Sequence, residues 1–245
     1  MSFQAGVMRR AIRAIFIFIL IIPALSCEDL PRDQKETTRR ITQSGKLRVG
    51  LIENPPWVIR TMDEPKGAEV ELVRQFASEI GAKPEWTWGG EEKLLGALEN
   101  YELDLVAGGL SDKTPWKNRI GMTGQFFKET FDVGTRPNGA SVKDLKDREI
   151  VVNDSRTAGF VREKDALPVQ TDELSGSDGR LVAAPTWELE KLGLSPTGND
   201  LHTDRHIVAT PPGENQLVKR LDEFFSRQKD NIPALLQQQS EVASR

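Results

Sequence analysis

Asp154-Ser155-Arg156-Thr157 stands just ahead of an apolar-periodic stretch, where a helix would begin. Free backbone N–H groups and the helix dipole favour an anion at such a place, and the Arg156 guanidinium would add to this. Ordinary capping by Ser155 or Thr157 accounts for the same residues. Trp57, directly after Pro55-Pro56, offers a flat ring that can stack on an apolar or cationic group at little entropic cost, or else fill a core. His202 and His206 are the two histidines of the chain; they lie four apart with Asp204-Arg205 between them and no cysteine nearby, so no metal is expected. Acid–base chemistry would need carboxyls such as Glu53 or Asp112, and neither stands in a motif. The chain is therefore expected to be a binding protein without catalytic residues or cofactors, and not an enzyme.

These side chains need elements to position them. Lys46–Ile52 alternates Leu47, Val49 and Leu51 as a strand does, and Trp57–Arg60 reads as a further extended piece before a turn through Asp63–Gly67. Ala68–Ile80 places Val70, Val73, Phe76, Ala77 and Ile80 at helical spacing and stops at Gly81. Lys83–Trp88 reads as a strand, Glu91–Asn100 as a helix and Asp104–Gly109 as a buried strand. Strands alternating with helices predict an α/β protein with a mainly parallel sheet, its ligand crevice lying beyond the carboxyl ends of the strands. A second unit follows Arg136-Pro-Asn-Gly139, with strands at Glu149–Asn153 and Arg180–Ala184 and helices at Thr157–Glu163 and Thr186–Lys191. Between them Thr171–Gly179 is a polar, Gly/Ser-rich loop. The chain closes with a strand at His206–Thr210, a turn at Pro211-Pro-Gly213 and an amphipathic helix over Asn215–Arg227.

The N-terminus has its own pattern. Arg9, Arg10 and Arg13 precede an apolar run from Ala14 to Leu25, too short for a confident membrane span, and the single cysteine follows at Cys27. This predicts a secretory signal peptide over residues 1–26, with an uncleaved anchor as the alternative. Ala24-Leu25-Ser26-Cys27 resembles the lipobox of bacterial lipoproteins, which implies a lipid on Cys27 that holds the mature protein to a membrane; plain cleavage before Cys27 would leave a free thiol instead. Residues 27–43 read as a charged tether with a helix near Thr37–Gln43. Removing residues 1–26 takes away three arginines and no acid, leaving 30 basic against 37 acidic groups, a net charge of −7 that argues against a nucleic-acid partner.

The segments GKLRVGLIENPPWVI, GAEVELVRQFASEIGAKPEW, LLGALENYELDLVAGGLSDKTPW and HIVATPPGENQLVKRLDEFF together resemble the bacterial extracellular solute-binding proteins of family 3, the polar amino-acid class associated with ABC transporters. The resemblance implies a two-lobed periplasmic-binding-protein fold with a ligand cleft and hinge. Lobe 1 would comprise residues 44–136 and 205–245 and lobe 2 residues 137–204, with crossings near Asp132–Arg136 and Arg205–Thr210. It implies that Trp57 covers the ligand, that Gly109 and Ser111 meet a ligand carboxylate, and that Lys117 or Arg119 replaces the family's clamping arginine. For Ser111 a turn cap, and for Lys117 and Arg119 a solvated surface, are the alternatives. Ser155, Arg156 and Thr157 would grip the ligand from lobe 2. The family's aspartate for an α-amino group is absent from Gly179–Trp187, and the helix before that strand is replaced by a short loop, so lobe 2 is expected to be shortened. The implied role is a monomeric, envelope-located receptor for a small anionic solute, serving an ABC permease or a sensory membrane protein. The alternatives are a degenerate fold kept for protein contacts and a periplasmic dehydratase.

Overall fold

Two acids organise the start of the fold. In the computed structural model, which describes residues 32–137, 142–176 and 178–243, Asp33 accepts hydrogen bonds from the Thr38, Gln216 and Leu217 N–H groups at 2.8, 2.8 and 3.0 Å. Buried Glu214 accepts from the Lys35 and Thr37 N–H groups at 2.8 and 3.0 Å. Together they satisfy the open donors of helix α1 (Thr37–Ser44) and of the helix that begins at Asn215. Ile41 of α1 is fully buried. The end of the tether segment is thus packed onto the first lobe from Asp33, with a helix where one was expected near Thr37–Gln43; the signal segment and Cys27 lie outside the described residues.

The first lobe follows from one-sided apolar patterns. Strand β1 (Lys46–Leu51) buries Leu47, Val49 and Leu51 beneath helix α2 (Ala68–Glu79), whose Val70, Val73, Phe76 and Ala77 face it. Strand β2 (Lys83–Trp88) runs parallel to β1, with Lys46 opposite Lys83. Helix α3 (Glu91–Glu99) covers the other face with Leu94, Leu95 and Leu98, next to β3 (Leu105–Ala107) and β4 (Gly121–Met122). The entry to α2 is unusually close: Gly67 has φ 118°, and a Cβ there would sit 2.3 Å from the Trp57 carbonyl oxygen. Only glycine admits this approach, which locks the Trp57 loop against the first turn of α2.

The second sheet begins at β5 (Phe127–Thr135), then takes in β6 (Glu149–Val152), helix α4 (Ser155–Arg162), β7 (Leu167–Gln170), β8 (Leu181–Pro185), helix α5 (Thr186–Lys191), β9 (Ser195–Pro196) and β10 (His202–His206). Its order is β10-β5-β8-β6-β7, with β9 on β5. The chain then returns through β11 (Ala209–Thr210) to complete the first sheet, order β2-β1-β3-β11-β4, and ends in helices α6 (Asn215–Gln228) and α7 (Ile232–Ala243). The protein is a mixed α/β, two-lobed periplasmic-binding-protein-like fold. Its second lobe is short, since the described residues between β7 and β8 form no helix.

Three differences from the sequence reading bear on the hinge. Strand β5 was not expected, and it draws the chain into the second sheet from Phe127, ahead of the crossing placed at residues 132–136, because Phe127 to Phe131 pair antiparallel with His206 to His202. The strand expected over His206–Thr210 is two strands, β10 and β11, with the second crossing at Ile207-Val208 between them. The crossings bind each other: Thr123 N–H donates to the Val208 carbonyl at 3.0 Å, Val208 N–H to the Thr123 hydroxyl at 2.9 Å, and Phe126 N–H to the His206 carbonyl at 3.0 Å. The third difference is α7, which packs on α2 and also reaches α5 of the second lobe.

Candidate functional site

A cleft of about 750 Å³ opens between the Trp57 loop, strand β5 and the loops that follow β6, β7 and β8. Its position beyond the strand ends is the one expected for an α/β crevice. The charged residues lining it are Glu129, Asp154, Asp172, Glu173 and Glu188 against Arg156 and Lys191. Both cations are already engaged. Arg156 pairs with Asp204 and lies 5.4 Å from the centres of the Phe131 and Phe160 rings, while the Lys191 ammonium donates to the Ser240 hydroxyl at 2.9 Å and lies 3.7 Å from Glu241. Burial alone would raise the Asp204 carboxyl, but Arg156 and His202 outweigh it and hold the group below its usual range. Glu188 behaves in the opposite way. Burial pushes its carboxyl up to about 6, Asp154 and Glu129 add to that, and Lys191 opposes it without cancelling it.

The residues singled out in the sequence are dispersed. Trp57 lines the cleft, although it is almost wholly buried, because its ring stacks on His206 with centres 4.0 Å apart. Arg156 also lines the cleft. Ser155 and Thr157 open α4, but Asp154 is the cap, its carboxylate accepting the Thr157 N–H at 2.8 Å. The Gly109 N–H donates to Glu69 at 3.1 Å and is therefore spent inside the protein. Ser111 forms an isolated β-bridge with His206. Lys117 is exposed. Arg119 pairs with Glu99 and lies over the Trp116 ring at 4.2 Å, beside a shallow depression formed with Glu91 and Glu92. His202 stacks on Phe160 at 4.1 Å and bonds Asp204 at 3.1 Å, so the two histidines have separate surroundings.

Three buried residues that the sequence reading did not join lie under the cleft. Glu129 accepts the Trp187 indole N–H at 2.9 Å on one oxygen, and its other oxygen lies 3.1 Å from His206 Nε2. On the far side of the imidazole, Nδ1 lies 3.9 Å from Glu69 Oε1. Glu69 Oε2 accepts the Gly108 and Gly109 N–H groups at 2.5 and 3.1 Å. Burial raises the Glu69 carboxyl, with His206 and the two N–H donors opposing and Glu129 reinforcing the shift. A signal did exist, since Glu129 sits between Phe127 and Phe131, and His206 directly precedes Ile207-Val208. Glu129 alternates with the two phenylalanines on one strand face, and a charged group on an apolar face points to a paired interior.

A family model, bacterial extracellular solute-binding proteins, family 3, matches residues 47–238. The chain belongs to this family. Among solved structures, an ancestral cationic amino acid solute-binding protein is similar with a TM-score of 0.65 and 16% identity, over 82% of this chain and 98% of that one. The L-cystine solute receptor of Neisseria gonorrhoeae in its unliganded open conformation gives 0.60 and 16%, over 79% and 91%. At these identities the likeness shows the fold alone. A curated relative, membrane-bound lytic murein transglycosylase F of Vibrio cholerae, is 36% identical over 101 residues, which are 41% of this chain and 19% of that protein. The protein of the same name from Mannheimia succiniciproducens is 26% identical over 152 residues, 59% and 31% of the two chains. The chain thus spans less than a third of the length of either relative.

These findings correct one expectation. Relatives of this family 3 protein carry the name of an enzyme, and an ancestral cyclohexadienyl dehydratase shares the fold with a TM-score of 0.57 and 17% identity, over 81% and 92% of the two chains. Exclusion from the enzymes therefore does not stand. Family membership implies a periplasmic or envelope location, and no helix among the described residues is long and apolar enough to cross a membrane.

Proposed function

We propose that this family 3 protein is an envelope solute-binding module whose cleft takes a small polar solute through an ammonium or guanidinium group. The observation that carries this reading is the balance of the cleft, in which Glu188 stands half-buried among acids while Arg156 and Lys191 are engaged elsewhere. A buried carboxyl gains most from a cation that enters with the solute. The anionic solute expected from Arg156 and the start of α4 fits less well, because Asp204 holds the guanidinium and Asp154 takes the Thr157 N–H. Trp57 supplies the aromatic wall and Arg156 the rim. The name of the curated relatives directs attention to murein, whose peptides carry free ammonium groups, as the source of the solute. The module would act as a monomer, held near its membrane by a lipid on Cys27, and pass its occupancy to an ABC permease or a sensory protein. Glu188 at about 6 is also suited to giving or taking a proton near neutrality.

Titration calorimetry of the full chain tests this, with arginine, lysine, a diamine and murein peptides on one side and succinate and glutamate on the other. Saturable binding is expected for the cationic set, weakened at least about tenfold by Glu188→Gln. Binding confined to the dicarboxylates would overturn the cationic reading. Silence across the whole set, with a scattering profile that never changes, would instead favour a surface that acts through protein contacts. The same mixtures are followed for product, and turnover lost in Glu188→Gln would place chemistry in the cleft.

A further inference from the structure

We propose that Glu69, His206 and Glu129 hold one shared proton across the hinge, and that its loss loosens the contact between the two lobes. The three residues lie on the path that any lobe movement must deform. Glu69 belongs to α2 and is held by the backbone of Gly108 and Gly109 in the first lobe. His206 ends β10 at the second crossing, and its carbonyl accepts the Phe126 N–H of the first. Glu129 is on β5 and is held from the second lobe by Trp187 of α5. Glu69, His206, Glu129 and Trp187 are 1%, 2%, 4% and 5% exposed, so water does not compensate for a missing partner.

With Nε2–H directed at Glu129, His206 Nδ1 and Glu69 Oε1 face each other at 3.9 Å, and neither has a hydrogen-bond partner among the described residues. The gap is too long for a hydrogen bond, so the contact is one of charge, and a single proton on either atom sets its sign. It sits on Nδ1 beside a carboxylate, or on Glu69 beside a neutral imidazole, and the trio carries one net negative charge in either case. Without it an imidazole lone pair faces a carboxylate, and two negative charges share an interior walled by the Trp57, Phe126 and Phe127 rings.

The surrounding charges offer little relief. Arg205 of β10 leans towards Asp112 at 3.8 Å, and beyond Glu129 stand the acids Glu188 of α5 and Asp154, the cap of α4, with Lys191 engaged elsewhere. Separation of α2 from the crossing strands is the movement that lets water reach the charges. The raised Glu69 carboxyl agrees with a proton retained above the ordinary carboxylic range. For a raised acid the stabilisation is complete below the ordinary value and is lost as pH rises through the raised one. The inference does not depend on the solute, so failure of the cationic reading leaves it standing.

Small-angle scattering and histidine ring NMR on the full chain test it between about pH 5 and pH 9. Wild type is expected to expand as pH rises, in step with one change in the His206 ring signals, with His202→Gln assigning the two sets of ring signals. Glu69→Gln keeps the side-chain shape and has no carboxyl proton to lose, so its radius should not change with pH and the pH-linked change in its His206 ring signals should vanish. A wild-type radius that is constant across the range overturns the proposal without any variant. A pH-linked change in the His206 ring signals of Glu69→Gln that matches wild type overturns it as well.

Discussion

Asp104 and Glu69 are both carboxylates of the first lobe with almost no exposed surface, yet their surroundings differ. Asp104 accepts the Arg48 backbone N–H at 2.8 Å and the Arg48 guanidinium at 2.7 Å, and it also pairs with Arg40. Arg48 donates further to the Tyr101 carbonyl at 2.8 Å. This arrangement ties α1, β1 and the turn before β3 into one piece, and both guanidiniums keep partial contact with water. Glu69 has two backbone donors on one oxygen, while the other faces His206 Nδ1 at 3.9 Å with no hydrogen bond among the described residues. A buried charge with every position filled braces a fold, whereas one left half-served at a crossing makes the structure answer to its proton.

Four substitutions can break or sharpen this contrast. Asp104→Ala leaves two guanidiniums facing a vacated site and is expected to cost about 2–4 kcal/mol in urea unfolding; a loss near zero would end the idea of a brace. Trp187→Phe keeps a ring but withdraws the N–H from Glu129, for a loss of about 1–3 kcal/mol, and should make the hinge more sensitive to pH. Glu188→Gln acts in the other direction. The Glu188 carboxyl is raised from 4.5 to about 6, so its contribution is fully present below 4.5 and lost as pH rises through 6. The variant should therefore exceed wild type by roughly 1–2 kcal/mol at pH 7, with the difference fading in acid, as thermal unfolding against pH would record. Arg119→Ala removes an exposed pair with Glu99 and should change neither melting temperature nor solute binding, because water already screens that charge.

The first lobe was legible because its apolar residues recur at strand and helix spacing. Leu47, Val49 and Leu51 alternate, and Val70, Val73, Phe76 and Ala77 recur at helical spacing, so local order shows through the residues themselves. Strand β5 was hidden for the opposite reason: it buries Glu129 and Asp132 among its apolar residues, and Asp132 is satisfied by the distant Gly198 and Asn199 N–H groups at 2.8 and 3.1 Å. Helix α7 escaped notice because Gln237-Gln-Gln239 interrupts its apolar face. Of the cleft, Trp57 and Arg156 were readable from residue type and loop position. The Glu69–His206–Glu129 chain was not, since His206 and Glu129 stand 77 positions apart and only the pairing of β5 with β10 brings them together.

The reciprocal grip of Asp33 and Glu214 on α1 and α6 has a mechanical meaning. A pull on the chain ahead of residue 33 enters the molecule at the paired starts of two helices in the first lobe, away from either crossing strand. Load is taken up there by the Lys35, Thr37, Thr38, Gln216 and Leu217 N–H groups on the two carboxylates. A molecule held by that end keeps its first lobe as the fixed body, and the second lobe is the one left to swing.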